Sequence, residues 1–179
     1  MRVLVVGAGT MGRWLADLLA AEHAVALADA DIDRAARVAT ELGCATDDGG
    51  RYDLLALAVP MSAVPEAAAD HSGRADAVLD VAGEMRDTIA ALRDAFPDAE
   101  RVSTHPLFAP ANAPGRVAIV RDAPGPYTDA AVDVLAAAGN EPFETTTQEH
   151  DRAMATVQAM THAAVLAFGL AAENIAEET

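Results

Sequence analysis

The sequence contains no lysine: all 12 of its basic residues are arginine, against 28 aspartates and glutamates. The resulting formal net charge of −16 repels nucleic acid and anionic membranes, so we expect neither as a partner. A surface rich in carboxylates and free of lysine is typical of a halophilic source, and an ordinary acidic enzyme is the alternative interpretation.

Cysteine and aromatic residues are also scarce. The single cysteine, Cys44, excludes an intramolecular disulfide framework and a cysteine-based zinc site. Aromatic residues make up 4% of the chain and hydrophobic residues 52%, so the core must consist mainly of aliphatic and alanine side chains. Met1-Arg2 leads into an apolar strand without the layout of a signal peptide, and we expect a cytoplasmic location.

Formal charge is absent from residues 153–172, a stretch long enough to cross a bilayer. Thr156, Gln158, Thr161 and His162 interrupt this stretch, and much of the remainder is alanine. The composition therefore favours a buried helix of a water-soluble protein over a membrane span.

Short apolar runs alternate with segments of helical periodicity in the first 147 residues, which predicts a doubly wound, mainly parallel α/β sheet. Strands are predicted at residues 2–6, 24–28, 53–59, 77–81, 101–104, 117–120 and 142–146. Helices are predicted at residues 11–22, 32–42, 63–71, 84–95 and 128–138, with one long helix from 148 to about 176. We therefore divide the chain into an α/β domain, residues 1–147, and a C-terminal helix, residues 148–179.

A glycine motif, Gly7-Ala8-Gly9-Thr10-Met11-Gly12, joins the first strand to the first helix with the spacing G-x-G-x-x-G. In this context Gly7 permits a tight turn, Gly9 lets the backbone approach a pyrophosphate, and Gly12 lets helix and strand pack closely. The free N–H groups of the helix start, at Thr10 and Met11, favour an anion. The motif predicts a Rossmann-type dinucleotide-binding domain, and a turn that only shapes the fold is the alternative.

Asp29 ends the second strand, where its carboxylate could accept hydrogen bonds from the adenosine ribose hydroxyls. A carboxylate there repels a 2′-phosphate, so we expect NAD as the cofactor and NADP less readily, although Arg34 nearby could soften this preference. Val59 and Pro60 follow the next strand of the sheet and are predicted to contact the cofactor, because ligands bind at the carboxyl ends of parallel strands.

His105 follows a strand at the same predicted edge, in the segment Ser103-Thr104-His105-Pro106. An imidazole in this position can accept a proton from a substrate hydroxyl as hydride leaves the adjoining carbon. We predict His105 as the catalytic base and Ser103 as a substrate-binding residue. A histidine that only caps the strand end is the alternative.

Two polar side chains of the long helix, Gln158 and His162, share one face because they lie one turn apart. They are predicted to bind substrate in a wet cleft beside the cofactor, or else to form hydrogen bonds across a helix interface. His150, at the start of the same helix, is expected to be solvated.

Several segments resemble the prephenate dehydrogenase (TyrA) family. The segment 105–110, His-Pro-Leu-Phe-Ala-Pro, resembles the family signature His-Pro-Met-Phe-Gly-Pro. The family's first C-terminal helix is similar to Glu149-His150-Asp151-Arg152, Val157-Gln158-Ala159, Thr161-His162, Gly169-Leu170 and Ala172-Glu173-Asn174-Ile175. The resemblance implies NAD-dependent oxidative decarboxylation of prephenate to 4-hydroxyphenylpyruvate, or of arogenate to tyrosine, in tyrosine biosynthesis. It also implies that His105 binds the ring hydroxyl, that no metal is needed, and that His150 supports the site.

The chain departs from this family in two places. The family pattern Asp-x-x-Ser-Val-Lys is replaced by Asp80-Val81-Ala82-Gly83-Glu84-Met85, so both Ser and Lys are missing. The family's helical dimerisation domain, which supplies an arginine for a substrate carboxylate, is represented only by residues 148–179. The remaining candidates for that role are Arg13, Arg86, Arg116 and Arg152.

A lone apolar helix cannot shield its own faces, so we expect a homodimer formed through the C-terminal helix. Two other functions stay open. One is a different NAD(P)-dependent small-molecule oxidoreductase, although hydroxyacid dehydrogenases of the 3-hydroxyisobutyrate type use a lysine and imine reductases lack the His-Pro-x-Phe segment. The other is a non-catalytic dinucleotide-binding regulatory protein, which the missing Ser and Arg favour.

Overall fold

The structure is a computed structural model that describes the backbone of residues 1–176 and the side chains of residues 1–171. Within this part of the chain the strands are β1 Arg2–Val6, β2 Ala24–Ala28, β3 Ala45–Thr46, β4 Tyr52–Leu57, β5 Ala75–Asp80, β6 Glu100–Pro106, β7 Arg116–Ala123 and β8 Glu141–Glu144. The helices are α1 Thr10–Ala20, α2 Ile32–Leu42, α3 Val64–Asp70, α4 Arg86–Ala95, α5 Pro126–Ala137 and α6 Thr147–Ala176. The side chains of 172–175, part of the family resemblance, lie outside the described residues.

All eight strands join one sheet in the order β3-β2-β1-β4-β5-β6-β7-β8. Every neighbouring pair is parallel except β6 and β7, which are antiparallel. The predicted doubly wound, mainly parallel sheet is therefore confirmed. Strand β3 was not predicted, because its two exposed residues are too few to form a recognisable pattern.

Both faces of the sheet are buried, as the continuous apolar runs in its strands require. In β1, Val3 and Val5 join a core layer with helix α1, whereas Leu4 joins the layer on the opposite face. Helices α1, α2 and α5 contribute to the first layer, and α3 and α4 to the second. Because β1, β4, β5 and β6 run parallel, their carboxyl ends lie at one common edge of the sheet.

Helix α6 begins with a reciprocal cap between Thr146 and Glu149. The backbone N–H of Glu149 donates to Thr146 Oγ1 at 3.2 Å, and the backbone N–H of Thr146 donates to Glu149 Oε2 at 3.3 Å. This arrangement satisfies two backbone donors that a helix start otherwise leaves free. The Thr-x-x-Glu sequence therefore explains why the long helix starts here.

The prediction that α6 is a buried helix is wrong within this chain. Its side chains from Ala155 to Ala171 are exposed, because no described element packs beside them. By length and composition alone, Thr147–Ala171 could also cross a membrane, with a mean hydropathy of 1.4. Only its first turns contact the α/β domain, where His150 is buried.

Candidate active site

The glycine motif forms the loop between β1 and α1, and two of its glycines are required by close contacts. Gly7 adopts a φ of +100°, and a Cβ atom there would lie 2.4 Å from the carbonyl oxygen of Ala58. A Cβ atom at Gly12 would lie 1.7 Å from the carbonyl oxygen of Gly7. At Gly9, by contrast, none of the described atoms outside the adjoining residues comes within 4 Å of a Cβ position. The loop therefore leaves open space where a pyrophosphate would approach the start of α1.

Asp29 holds this loop from the end of β2. Its Oδ2 atom accepts the backbone N–H of Ala8 at 2.7 Å, and its Oδ1 atom accepts that of Asp31 at 2.9 Å. Arg34 Nη1 lies 3.5 Å from Asp29 Oδ2. The carboxylate is only 9% exposed, yet each oxygen has a second lone pair that can accept a hydroxyl. Asp29 can thus shape the loop and bind a ribose at once.

A cleft of about 560 Å³ opens above the loop. It is lined by seven of the predicted cofactor-binding residues, namely Gly7, Gly9, Thr10, Met11, Asp29, Val59 and Pro60. Gly12, the remaining one, packs beneath the loop against Gly7 and Ala58. Arg34 and Val81 also line the cleft, together with Val6, Ala30, Ala58 and Ala63. The residues present fit a dinucleotide, and their cofactor roles stay a prediction.

His105 lies on β6 at the same edge of the sheet and is half-buried. Its Nε2 atom faces Gly83, where a Cβ atom would lie 3.6 Å away at ordinary contact distance. Burial of the ring, reinforced by the neighbouring His150 imidazole, lowers the pKa of His105 to about 4. The imidazole is therefore neutral at physiological pH and able to accept a proton.

The Nδ1 atom of His105 lies 2.8 Å from His150 Nε2, and the two rings meet edge to face. His150 Nδ1 in turn lies 2.8 Å from Asp151 Oδ1. His150 is only 4% exposed, so the expectation that it is solvated is wrong. Its position follows from the first turn of α6, which packs on the loop before α4. Sequence reasoning missed Asp151 as a partner of the site, although the Glu-His-Asp-Arg segment was the available signal.

Asp151 also anchors α6 to the α/β domain. Its Oδ1 atom accepts the backbone N–H of Met85 at 3.0 Å, and its Oδ2 atom accepts that of Arg86 at 3.1 Å. A carboxylate at the start of α4 is favoured by the free N–H groups and the positive end of the helix dipole. These bonds hold His150 against His105.

A second cleft of about 240 Å³ lies between α6 and the loop after β5. Its lining includes Met61, Gly83, Glu84, Asp151 and Gln158. Gln158 therefore faces the site as predicted from its helix face, whereas His162 is exposed one turn further along α6 and is not among the lining residues.

The two clefts are neighbours on one edge of the sheet. Pro60 lines the first cleft and Met61 the second, while Val81 lines the first and Gly83 the second. The loops after β4 and β5 therefore border both clefts. His105 is not among the lining residues of either cleft, but its Nε2 atom faces Gly83, so the imidazole lies next to the border of the second cleft.

Ser103 does not reach this region, so the prediction that it binds substrate is corrected. Its side chain is fully buried and lies beside Asp80 in the pairing of β5 with β6. Residues on a strand alternate between faces, so Ser103 and His105 share a face, but Ser103 lies two residues further from the carboxyl end of β6, where its side chain has no exposed surface. Burial raises the pKa of Asp80 to about 7, and its Oδ1 atom accepts the backbone N–H of Ala82 at 2.9 Å.

The four candidate arginines differ in position. Arg13 is paired with Glu41, and the guanidinium of Arg116 stacks 4.2 Å from the centre of the Phe143 ring. Arg86 and Arg152 are exposed at the starts of α4 and α6, the two elements that meet beside the second cleft. Arg86 and Arg152 are therefore the better placed pair for a substrate carboxylate.

Comparison with known proteins supports the resemblance. The chain is 38% identical over 125 residues to 4-amino-4-deoxyprephenate dehydrogenase from Streptomyces pristinaespiralis. The alignment covers 66% of this chain and 42% of that protein. The chain thus spans less than half the length of this curated relative. No family model matches the chain.

Solved structures of the same type share the fold. Prephenate dehydrogenase from Aquifex aeolicus, solved with hydroxyphenyl propionate and NAD+, superposes with a TM-score of 0.77 at 18% identity, over 94% of this chain and 68% of that one. Arogenate dehydrogenase from Synechocystis superposes with a TM-score of 0.71 at 17% identity, over 87% of this chain and 63% of that one. The chain resembles prephenate dehydrogenases in sequence and in fold.

The contacts of the glycine loop predict opposite outcomes for two alanine substitutions. Gly12→Ala should lower the free energy of unfolding by about 1–3 kcal/mol or more, because its methyl group collides with the Gly7 carbonyl. Gly9→Ala should change it by less than about 0.5 kcal/mol, the usual range for a substitution that meets open space. Urea unfolding of both variants measures the difference, and equal losses would contradict this description of the loop.

Proposed function

We propose that this chain is a NAD-dependent dehydrogenase that oxidatively decarboxylates prephenate, or arogenate, to 4-hydroxyphenylpyruvate, or tyrosine. The observation that carries the proposal is the neutral imidazole of His105, whose Nε2 atom faces the loop shared by the two clefts. The NAD+ in the Aquifex relative and the substrate type of the named relatives support it. These substrates and this cofactor belong to cytoplasmic metabolism, which is the location we propose.

The first cleft would hold the dinucleotide, with the pyrophosphate at the start of α1 and the adenosine ribose at Asp29. A nicotinamide ring bound there would supply the acceptor for the hydride that leaves the ring carbon bearing the substrate hydroxyl. His105 Nε2 accepts the hydroxyl proton as that carbon becomes a carbonyl. The bond to the ring carboxylate then breaks, its electron pair makes the ring aromatic, and carbon dioxide leaves. His105 returns its proton to the phenolic oxygen.

Substrate carboxylates need cations in an otherwise acidic protein. Gln158 lines the second cleft, and the exposed Arg86 and Arg152 lie close in sequence to two of its lining residues, Glu84 and Asp151. We assign Arg86, Arg152 and Gln158, with His162 one turn further, to substrate binding. The assignment explains why a chain with a net charge of −16 can still attract a dianion.

A second candidate substrate is 4-amino-4-deoxyprephenate, the compound after which the Streptomyces relative is named. It carries an amine where prephenate carries the hydroxyl. A neutral imidazole can accept a proton from either group, and the Glu84 carboxyl in the second cleft favours the amine. Turnover decides between the two.

Following NADH absorbance with prephenate, arogenate and 4-amino-4-deoxyprephenate in high salt tests the function. We expect turnover with NAD+ and at least one of these substrates. His105→Asn keeps an N–H toward His150 but removes Nε2, so kcat should fall about 10²–10⁴-fold while NAD+ affinity stays unchanged. His23→Gln, remote from the site, is the control. No turnover with any of the three would refute the proposal.

The pH dependence follows from the burial of His105. Because its pKa is lowered to about 4, the basic form persists to lower pH than in an ordinary histidine. The value of kcat/KM should therefore stay level between about pH 7.5 and 5.5, whereas a histidine with a pKa of about 6.5 would lose about tenfold by pH 5.5. A tenfold loss in that range, with the circular dichroism unchanged, would contradict a base with the lowered pKa of His105.

We also propose that α6 pairs with α6 of a second copy. Residues beyond its first turns are apolar on several faces, and Met160, Leu166 and Phe168 are 69%, 68% and 76% exposed. A patch of this kind is costly in water and typical of an interface. A homodimer would cover it and enclose the second cleft.

Sedimentation velocity tests the dimer. The unchanged chain should sediment as a dimer without detergent, and Phe168→Glu should shift it toward monomer by placing a charge in the interface. Ile32→Glu is the matched control, since Ile32 is 78% exposed on α2. A monomer at micromolar concentration, or recovery of the chain only in membranes, would contradict this assembly.

A further inference from the structure

His105, His150 and Asp151 form a linear chain of hydrogen bonds that runs from the clefts into the contact between α6 and α4. The bond between the two imidazoles and the bond from His150 to Asp151 are both 2.8 Å long. The His150 ring is buried, so water does not compete for either of its nitrogens. The order of donors and acceptors along the chain is therefore set by its ends.

The Asp151 end accepts only. Burial disfavours the charge of this carboxylate, but hydrogen bonds from His150 and from the backbone N–H of Met85 hold its pKa below the ordinary value. An ionised carboxylate has no proton to donate. Two backbone N–H groups, of Met85 and Arg86, already point at its oxygens. His150 Nδ1 must therefore be the donor.

Donation from His150 Nδ1 to Asp151 also fixes the hydrogen bond between His150 and His105. A neutral imidazole that donates from Nδ1 accepts at Nε2, so His150 Nε2 receives the Nδ1–H of His105. His105 is then left with its lone pair on Nε2, the atom that faces Gly83 at the border of the second cleft. The opposite order would place a proton on His105 Nε2 and leave His150 Nδ1 without one, so that two acceptors, this nitrogen and the Asp151 carboxylate, would face each other.

The groups around this chain of hydrogen bonds support that order of donors and acceptors. Glu84 is the other carboxyl beside Asp151. Burial together with Asp151 raises the pKa of Glu84, whereas hydrogen bonds lower the pKa of Asp151 despite its burial, so Asp151 is the stronger acid of the two. His105 is contacted from α6 by His150 and from the loop after β5 by Gly83, which has no side chain to offer a hydroxyl. His105 is thus held from its Nδ1 side.

We propose that Asp151, acting through His150, is a positioning residue that fixes His105 in the tautomer whose Nε2 atom can accept the substrate proton. The inference about catalysis rests on the proposed function, but the tautomer itself is a property of the chain without substrate. As His105 becomes an imidazolium during proton transfer, the same hydrogen bonds to His150 and Asp151 stabilise its charge.

The tautomer can be read by nitrogen NMR of the full chain labelled at its five histidines. His105, assigned by its loss in His105→Asn, should show a protonated Nδ1 and an unprotonated Nε2. His150→Met removes the acceptor at similar volume, and His150→Gln can still place an oxygen near the position of His150 Nε2. We expect protonated Nε2 to appear in His150→Met and in Asp151→Asn, and less of it in His150→Gln.

Steady-state kinetics of the same variants test the catalytic consequence. In His150→Met and Asp151→Asn, kcat should fall about 10²–10⁴-fold, the loss expected of a base with the wrong proton, with NAD+ affinity unchanged. His150→Gln should retain more activity than His150→Met. His23→Gln should change neither the tautomer nor kcat, and circular dichroism reports whether each variant is folded.

The outcomes separate the two proposals. A protonated Nε2 at His105 in the unchanged chain, or a spectrum of His105 that does not respond to any of the three variants, would overturn the positioning role even if turnover is found. The expected tautomer without turnover of any tested substrate would leave the positioning role standing and refute the proposed function.

Discussion

The parallel register of β1, β4, β5 and β6 is the constraint on which the site depends. Because these strands run in one direction, their carboxyl ends meet at one edge and bring together the glycine loop, Val59, Val81 and His105. These residues are far apart in the chain and share no local interaction. Apolar side chains on both faces of the sheet stabilise that register, since a slip of one residue would exchange the two core layers.

A second constraint acts at the start of α6. One carboxylate, Asp151, accepts the backbone N–H groups of Met85 and Arg86 and also the imidazole of His150. The same group therefore joins the helix to the α/β domain and orders the side chains around His105. This sharing of one residue between folding and chemistry suits a helix that otherwise has few contacts within the chain.

Gly83 distinguishes the chain from the pattern of the family that it resembles. A side chain at this position would contact His105 Nε2 at ordinary distance, so a hydroxyl would fit there. Glycine leaves the space to a substrate and transfers the support of the imidazole to the opposite nitrogen. The difference is compatible with a substrate that carries an amine or a hydroxyl at the reacting carbon.

The sequence alone determined the fold class, the glycine loop and the placement of His105 at a strand end, because periodicity and glycine spacing are local properties. It also predicted that Gln158 faces a cleft, since helix geometry relates it to its neighbours. Only the tertiary structure decided that His150 is buried against His105, that Ser103 is covered, and that most of α6 is uncovered within this chain. These are contacts between elements distant in the chain, and no local pattern specifies which surfaces meet.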